Sequence, residues 1–368
     1  MMNRMVVANL VQRPIRSLIS VSAVALEVVL ILLIVSFFYG QLNGSKASQI
    51  GVGADVMVQP PGSSALVGVT GAPMAVKVGD KLRALPHVAV AAPVIWELTT
   101  KPTLEIIYGI DIASYNSIPP SFRFLSGRPF QGPYDVIVDD YFAGSKRAKV
   151  GDSIEILAHD FRVCGIVEHG KGARKFVRLD TMQDLIGAPG HASVFYIKLD
   201  DPASVDAVVD EIKHVPGMEN YSVRSMQEYL SMMTPENLPG FATSIRIVIA
   251  ISMIIGFLVI FQSMYTAVME RTREIGILKS LGASKLYIVN VVLRETALLA
   301  IVGIVVGTLI SLLTRRVILF EKPTLRLFWS AEWVVRATVT ALTGALLGAL
   351  YPAYKAAQKD PIEALAYE

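Results

Sequence analysis

Four apolar runs, each long enough to cross a bilayer, punctuate the chain: Ser17–Tyr39, Ile247–Val268, Leu286–Leu313 and Val334–Ala353. A membrane-spanning helix takes about 20 apolar residues, so each run reads as one span. Between the first and second lies a stretch of a different kind, residues 41–240, in which short alternating runs take over. Ala54–Gln59, Val88–Thr99 and Leu104–Ile112 read as strands, and Val78–Leu85 as a short helix. Asp135–Asp139, Ser153–Ala158 and Phe161–Glu168 form a strand-rich middle, with turns at Gly151-Asp152 and His159-Asp160. Val194–Leu199, a helix over Pro202–Val215 and a strand over Tyr221–Arg224 close the segment. The pattern predicts an α+β lobe made from both ends, with a mainly β lobe inserted between them. Gln59–Pro73, rich in Gly, Pro and Ser, reads as a loop.

The second and third spans are separated only by Glu270–Lys285. A charged stretch this short predicts one amphipathic helix lying at the membrane face. Ile275, Ile277, Leu278 and Leu281 give it an apolar side, and Glu270 and Arg273 an i,i+3 pair on the other. Gly282 stands where a left-handed C-terminal cap belongs. Such a helix can pass force from a cytoplasmic partner to the two spans it joins; the competing reading is a solvated, positively charged loop.

Composition narrows the class. A hydrophobic content of 53% and a mean hydropathy of +0.50 exclude a soluble enzyme. A net charge of +3 on 34 basic and 31 acidic residues is too balanced for a nucleic-acid binder. With Cys164 alone, no intrachain disulfide can form. Arg4, Arg13 and Arg16 precede the first run, which is too long for a signal peptide and is followed by no small-residue cleavage site. Lys and Arg near the span ends place the N-terminus, the 270–285 segment and the C-terminus on the inside. Arg315, Arg316, Lys322 and Arg326 in the outer loop weaken that bias. The fold class is therefore membrane α-helical, four transmembrane helices with an extracytoplasmic α+β domain between the first and second. Trp329 and Trp333 then fall at the outer interface of the fourth span.

Several motifs resemble those of the MacB/FtsX-type permeases, the membrane subunits of type VII ABC transporters. Glu270–Ser284 resembles their coupling helix. Pro352-Ala353-Tyr354-Lys355-Ala356-Ala357 followed by Asp360-Pro361-Ile362-Glu363-Ala364-Leu365 resembles their C-terminal signature. Ser126-Gly127-Arg128-Pro129-Phe130, and Val150–Ile154 leading to Phe161–Val167, are similar to segments of their outer domain. The resemblance implies an organisation of residues 1–40 (tail and first span), 41–240 (outer core domain) and 241–368 (permease region). It also implies a separate cytoplasmic ATPase docking on Glu270, Arg271, Arg273, Glu274, Ile275, Gly276, Leu278, Lys279, Leu281 and Gly282, and a second permease chain, identical or related. The expected activity is force transmission that drives export or extraction of a lipid, lipoprotein, peptide or antimicrobial. The alternative is a signalling subunit that activates a cell-wall hydrolase. A bacterial cytoplasmic (inner) membrane location follows, with membrane lipids and a periplasmic membrane-fusion protein or lipoprotein as further partners.

No chemistry of its own is expected of the chain. Gly170-Lys171-Gly172 and Gly144-Ser145-Lys146 lack the spacing of a phosphate-binding loop, so ATP hydrolysis is assigned to the partner. His87, His159, His169, His191 and His214 show no metal-ligand spacing, and Cys164 in an apolar strand reads as a small core residue. No catalytic residue, metal or cofactor is assigned. In the C-terminal motif Pro352 precedes the tail; Asp360, Pro361 and Glu363 make a capping box ahead of Leu365. That pattern marks either a well-capped terminus or a contact with the ATPase.

Glu27 is the unexpected residue within the spans. A carboxylate at mid-membrane costs roughly 2.5–3.5 kcal/mol on insertion scales, and the family commonly carries a small residue here. It is expected to face the protein interior, protonated or paired with Gln262, Thr266 or a serine of a neighbouring span; a cargo contact or a proton-sensitive hinge is the rival reading. Glu295, nearer the cytoplasmic end, matches a family glutamate and can pair or snorkel. Gly303-x-x-x-Gly307 and Gly344-x-x-x-Gly348 are small-residue stripes expected to pack the last two spans against the first two within one chain.

Overall fold

The apolar runs do form helices, and two of them outrun their apolar stretch. In a computed structural model that describes residues 13–63, 74–99, 105–238, 240–321 and 325–360, α1 covers Pro14–Val52 without interruption. The expected span ended at Tyr39. The helix continues because Leu42, Gln49 and Val52 are buried beyond it. The described residues form two units, a helical one (13–40, 240–321, 327–360) and an α/β one (41–238, 325–326).

In the α/β unit, strands β1 (Val56–Gln59), β2 (Met74–Ala75), β3 (Val88–Thr99), β4 (Glu105–Ile110), β5 (Phe124–Gly127) and β6 (Asp135–Asp139) are interleaved with short helices α2 (Val78–Arg83) and α3 (Ile112–Asn116). Asp111 ends β4 earlier than expected, because its carboxylate accepts from Ser114 N (3.0 Å) and caps α3. Then come α4 (Asp140–Lys146), β7 (Ser153–Ile156), β8 (His159–Val167), β9 (Lys175–Arg178), α5 (Leu179–Leu185), β10 (His191–Ala192), β11 (Val194–Leu199), α6 (Val205–Lys213), β12 (Ser222–Ser225) and α7 (Met226–Met232).

The two expected lobes share one sheet. Its order is β12-β1-β11-β3-β4-β9-β6-β8-β5, with β7 added on β8. The parallel pairing of β4 with β9 (Tyr108 opposite Phe176) joins the strands from the ends to those from the middle. The turn placed at His159-Asp160 lies instead at Leu157-Ala158, both with positive φ (48° and 62°), between paired Ile156 and His159. Two-residue hairpins favour such conformations, but Leu-Ala carries none of the usual turn residues.

Strand alternation sorts the core onto two faces. Val56, Val58, Phe195 and Ile197 pack with Val208, Val209 and Ile212 of α6. On the other face Tyr196, Trp96, Tyr108 and Phe176 are all buried. Gln49 near the end of α1 joins them: it donates to Tyr108 Oη (2.9 Å) and accepts from Tyr196 Oη (2.8 Å). Cys164 sits in this sheet with its thiol against the Val136 carbonyl, and burial pushes the thiol up to about 12. Most of Gln59–Pro73 lies outside the described residues.

The helical unit adds α8 (Phe241–Glu270), α9 (Thr272–Ser280), α10 (Lys285–Glu321) and α11 (Ala331–Gln358) to the lower part of α1. Among the described residues, four helices are therefore long and apolar enough to cross a membrane. A 30-residue helix rises about 45 Å, enough to cross with some tilt. The core uses small residues: Ala337, Ala341, Ala345, Ala349 and Ala353 of α11 are all sealed. A Cβ on Gly303 would meet Val24 Cβ at 2.7 Å, and one on Gly307 the Ala25 carbonyl at 2.6 Å. One on Gly348 would meet the Phe257 carbonyl at 2.7 Å. Both glycine stripes thus serve helix packing inside this chain, α10 on α1 and α11 on α8. Trp333 lies 5.5 Å, ring to ring, from Tyr39.

Candidate functional site: the α9 elbow and its ion pairs

Arg271 (φ −107°, ψ 18°) breaks the helix between α8 and α9, so the expected amphipathic helix is a separate element of nine residues. It ends in a Schellman cap: Gly282 N donates to the Lys279 carbonyl (3.0 Å) and Ala283 N to the Leu278 carbonyl (3.0 Å). Gly282 has φ +91°, a conformation that glycine adopts without a Cβ penalty.

The expected apolar side divides. Ile275 and Gly276 are buried and Leu278 is half-buried. Ile277 and Leu281 point the other way, 44% and 80% exposed, together with Arg273 and Glu274. The predicted Glu270–Arg273 pair is not the one the structure forms. Glu270 binds Arg13, which immediately precedes α1, and lies 3.7 Å from Arg16 on α1. Tertiary neighbours of the right sign outcompete a helix-surface pair worth only a few tenths of a kcal/mol.

Glu295 on α10 is 3% exposed and holds two arginines: Arg16 Nη2 at 3.1 Å and Arg271 Nη1 at 2.9 Å. One carboxylate thus ties α1, the α8–α9 elbow and α10 together. Of the two partners, sequence reading counts Arg16 only toward topology and assigns Arg271 to the ATPase-docking face. Lys279 is also turned inward, its ammonium donating to the Ala357 carbonyl (3.1 Å) and to that of Lys359. Ala357 offers one of the final carbonyls of α11, which carry the negative end of the helix dipole, and Lys359 is the residue that caps it. A cavity of about 50 Å³ lies between α9 and its neighbours, with Arg271, Glu274, Ile275 and Glu295 in its wall.

The intramembrane polar residues do not meet. Glu27 is 2% exposed, and among the described residues neither carboxylate oxygen has a hydrogen-bond partner. A side chain at Gly256 would run into this carboxylate, and a Cβ at Gly344 would lie 3.9 Å from Oε1. Glu27 therefore fills a hollow left by two glycines, in place of the expected pair. Gln262 is exposed, and Thr266 donates to the Gln262 backbone carbonyl (2.9 Å), not to Glu27. The serines that do pair are Ser20 and Ser263 (2.6 Å). In the C-terminal motif, Pro352 is buried within α11 and Asp360 is exposed; Pro361, Glu363 and Leu365 lie outside the described residues.

Comparison with known proteins adds the family. The MacB-like periplasmic core domain matches residues 17–215, and the FtsX-like permease C-terminal region matches residues 246–361. The uncharacterized ABC transporter permease YvrN of Bacillus subtilis is 24% identical, over 96% of each chain. An uncharacterized ABC transporter permease of Methanocaldococcus jannaschii is 27% identical over 60% of this chain and 58% of its own length. The macrolide export ATP-binding/permease protein MacB of Azoarcus is 30% identical over 47% of this chain, a match spanning only 26% of that protein. Four apolar helices and these matches make this a multi-pass membrane protein, and the chain belongs to the MacB/FtsX-type family of ABC transporter permeases.

Proposed function

We propose that this chain is the non-catalytic, force-transmitting permease of an ABC exporter in a bacterial cytoplasmic membrane. A cytoplasmic ATPase docks on the exposed side of α9, and the α/β unit works on a substrate at the opposite membrane face. The observation that carries the reading is the two-sidedness of α9. Its inner side is fastened by Ile275, the Arg271–Glu295 pair and the Lys279–Ala357 bond, while Arg273, Glu274, Ile277 and Leu281 stand bare.

A push on α9 would reach α10 through Glu295 and α11 through Lys279. It would reach α1 through the same Glu295, by way of Arg16, and through Glu270 with Arg13. Helix α1 is unbroken to Val52, and Gln49 near its end is locked among the buried tyrosines. Only ATP binding with different affinity to two states can drive such a movement. Export is the favoured direction because the Azoarcus relative is named an exporter. A second permease chain is expected alongside.

The test is ATPase stimulation in membranes holding this chain and its genetically linked ATPase. Glu274→Lys and Leu281→Lys change only exposed side chains, so the chain is expected to insert normally and lose at least tenfold of the stimulation. Wild-type stimulation in both variants would remove α9 as the docking element.

A further inference from the structure

A cleft of about 660 Å³ opens in the α/β unit beside the end of α1. Gly51, Pro120, Arg123, Tyr141, Lys171 and Arg326 line it, with Glu168 and His169. Its charges are unevenly matched. Glu168 is engaged by Arg123 (3.3 Å), and Asp140 by His169 Nδ1 (3.0 Å). Lys171 is only 6% exposed, and its ammonium donates to two backbone carbonyls, Val52 (3.0 Å) and Ile118 (3.3 Å). Arg326 donates to the Gly44 carbonyl (2.8 Å) and lies over the Tyr141 ring (5.7 Å). Among the described residues neither cation has a carboxylate partner.

A buried ammonium without a counter-charge is costly. Burial pushes the Lys171 amine down to about 8, consistent with that unrelieved charge. An ammonium has three donors, and backbone carbonyls take two of them here. A guanidinium supplies a planar fork suited to phosphate, and lysine a point charge beside it. Ala47, Pro120 and the Tyr141 ring add an apolar wall to a volume far larger than a bare anion requires.

We propose that this cleft is a binding site for a phosphate-bearing ligand, held by Arg326 and Lys171, with its organic part along the Tyr141 wall. The source is a lipid headgroup or free phosphate, both offering the same charged group. The site is remote in sequence from α9 and stands or falls independently of ATPase docking. Occupancy would be felt by α1, because Gly172 N donates to the Ser48 carbonyl (3.0 Å) and Lys171 holds the carbonyl of its final residue, Val52.

The test uses the full chain in detergent and calorimetric titration with two probes, short-chain phosphatidic acid and inorganic phosphate. Phosphatidic acid is expected to bind, with affinity falling at least tenfold in Arg326→Gln and Lys171→Met and unchanged in the exposed control Lys213→Gln. Binding of phosphatidic acid alone assigns the site to a headgroup; equal binding of inorganic phosphate assigns it to the free anion. Because Lys171 also fastens backbone, Arg326→Gln is the deciding variant. No binding by either probe, or wild-type affinity in Arg326→Gln, overturns the proposal.

Discussion

Lys279 donates its ammonium to the carbonyl of Ala357, 3.1 Å away and 78 residues later in the chain. The bond closes the end of α11 with a charge that sequence reading assigned to the ATPase. A charge-assisted bond of this kind contributes about 1.5–3 kcal/mol. Lys279→Met is therefore expected to keep the chain in the membrane but let the end of α11 fray, with faster amide exchange over residues 350–358. Unchanged exchange there would show that Lys279 holds nothing in place.

Glu295 predicts the largest loss. Glu295→Gln removes a charge that Arg16 and Arg271 share, and breaking a buried ion pair from one side costs about 3–5 kcal/mol. Thermal unfolding of the full chain in detergent should shift down by several degrees, and Arg16→Gln in the same background should recover part of it. Additive losses in the double variant would mean that the two residues are not coupled.

Glu27 predicts a gain. Its oxygens are buried without partners among the described residues, and an unsatisfied buried polar group costs about 1–3 kcal/mol. Methionine is similar in length and apolar, so Glu27→Met should raise the unfolding temperature. If transport falls while stability rises, the carboxylate was retained for function. A lower unfolding temperature would point to a hydrogen-bond partner that the packing does not reveal.

Asp139 sets a pH dependence in the α/β unit. It caps α4 through Phe142 N (2.6 Å), yet burial, the larger effect, raises its carboxyl from 3.8 to about 6. A folded-state value above the unfolded one means that the native chain holds the extra proton between about pH 4 and 6. Its contribution is complete below pH 4 and is lost as pH rises through 6, by about 3 kcal/mol at 1.36 kcal/mol per pH unit. Wild-type stability relative to Asp139→Asn should decline across that window. A flat difference would place the titration elsewhere.

The sequence revealed what local physics decides. Long apolar runs can only be helices in a bilayer, and Gly282 can be read as a cap because few residues tolerate its φ of +91°. It concealed what distant neighbours decide. Ile277 and Leu281 look as apolar as Ile275, and only the placement of α8 and α10 beside α9 determines which of them are covered. Glu270 finds Arg13, which lies more than 250 residues away in the chain, before Arg273 three residues on. The β4–β9 pairing that makes one sheet of two expected lobes leaves no local trace. Neither does the cleft, since Lys171 and Arg326 belong to separate loops and gain meaning only together.

The hollow around Glu27 has a consequence for how the family can vary. Positions 27 and 256 divide a single volume, so neither can change freely without the other. A relative with glycine or alanine in place of Glu27 has room for alanine or serine in place of Gly256, whereas one that keeps the glutamate is bound to glycine there. Across homologues the two columns should therefore exchange bulk as a pair, large beside small, and Gly344 should follow more loosely because its contact is wider.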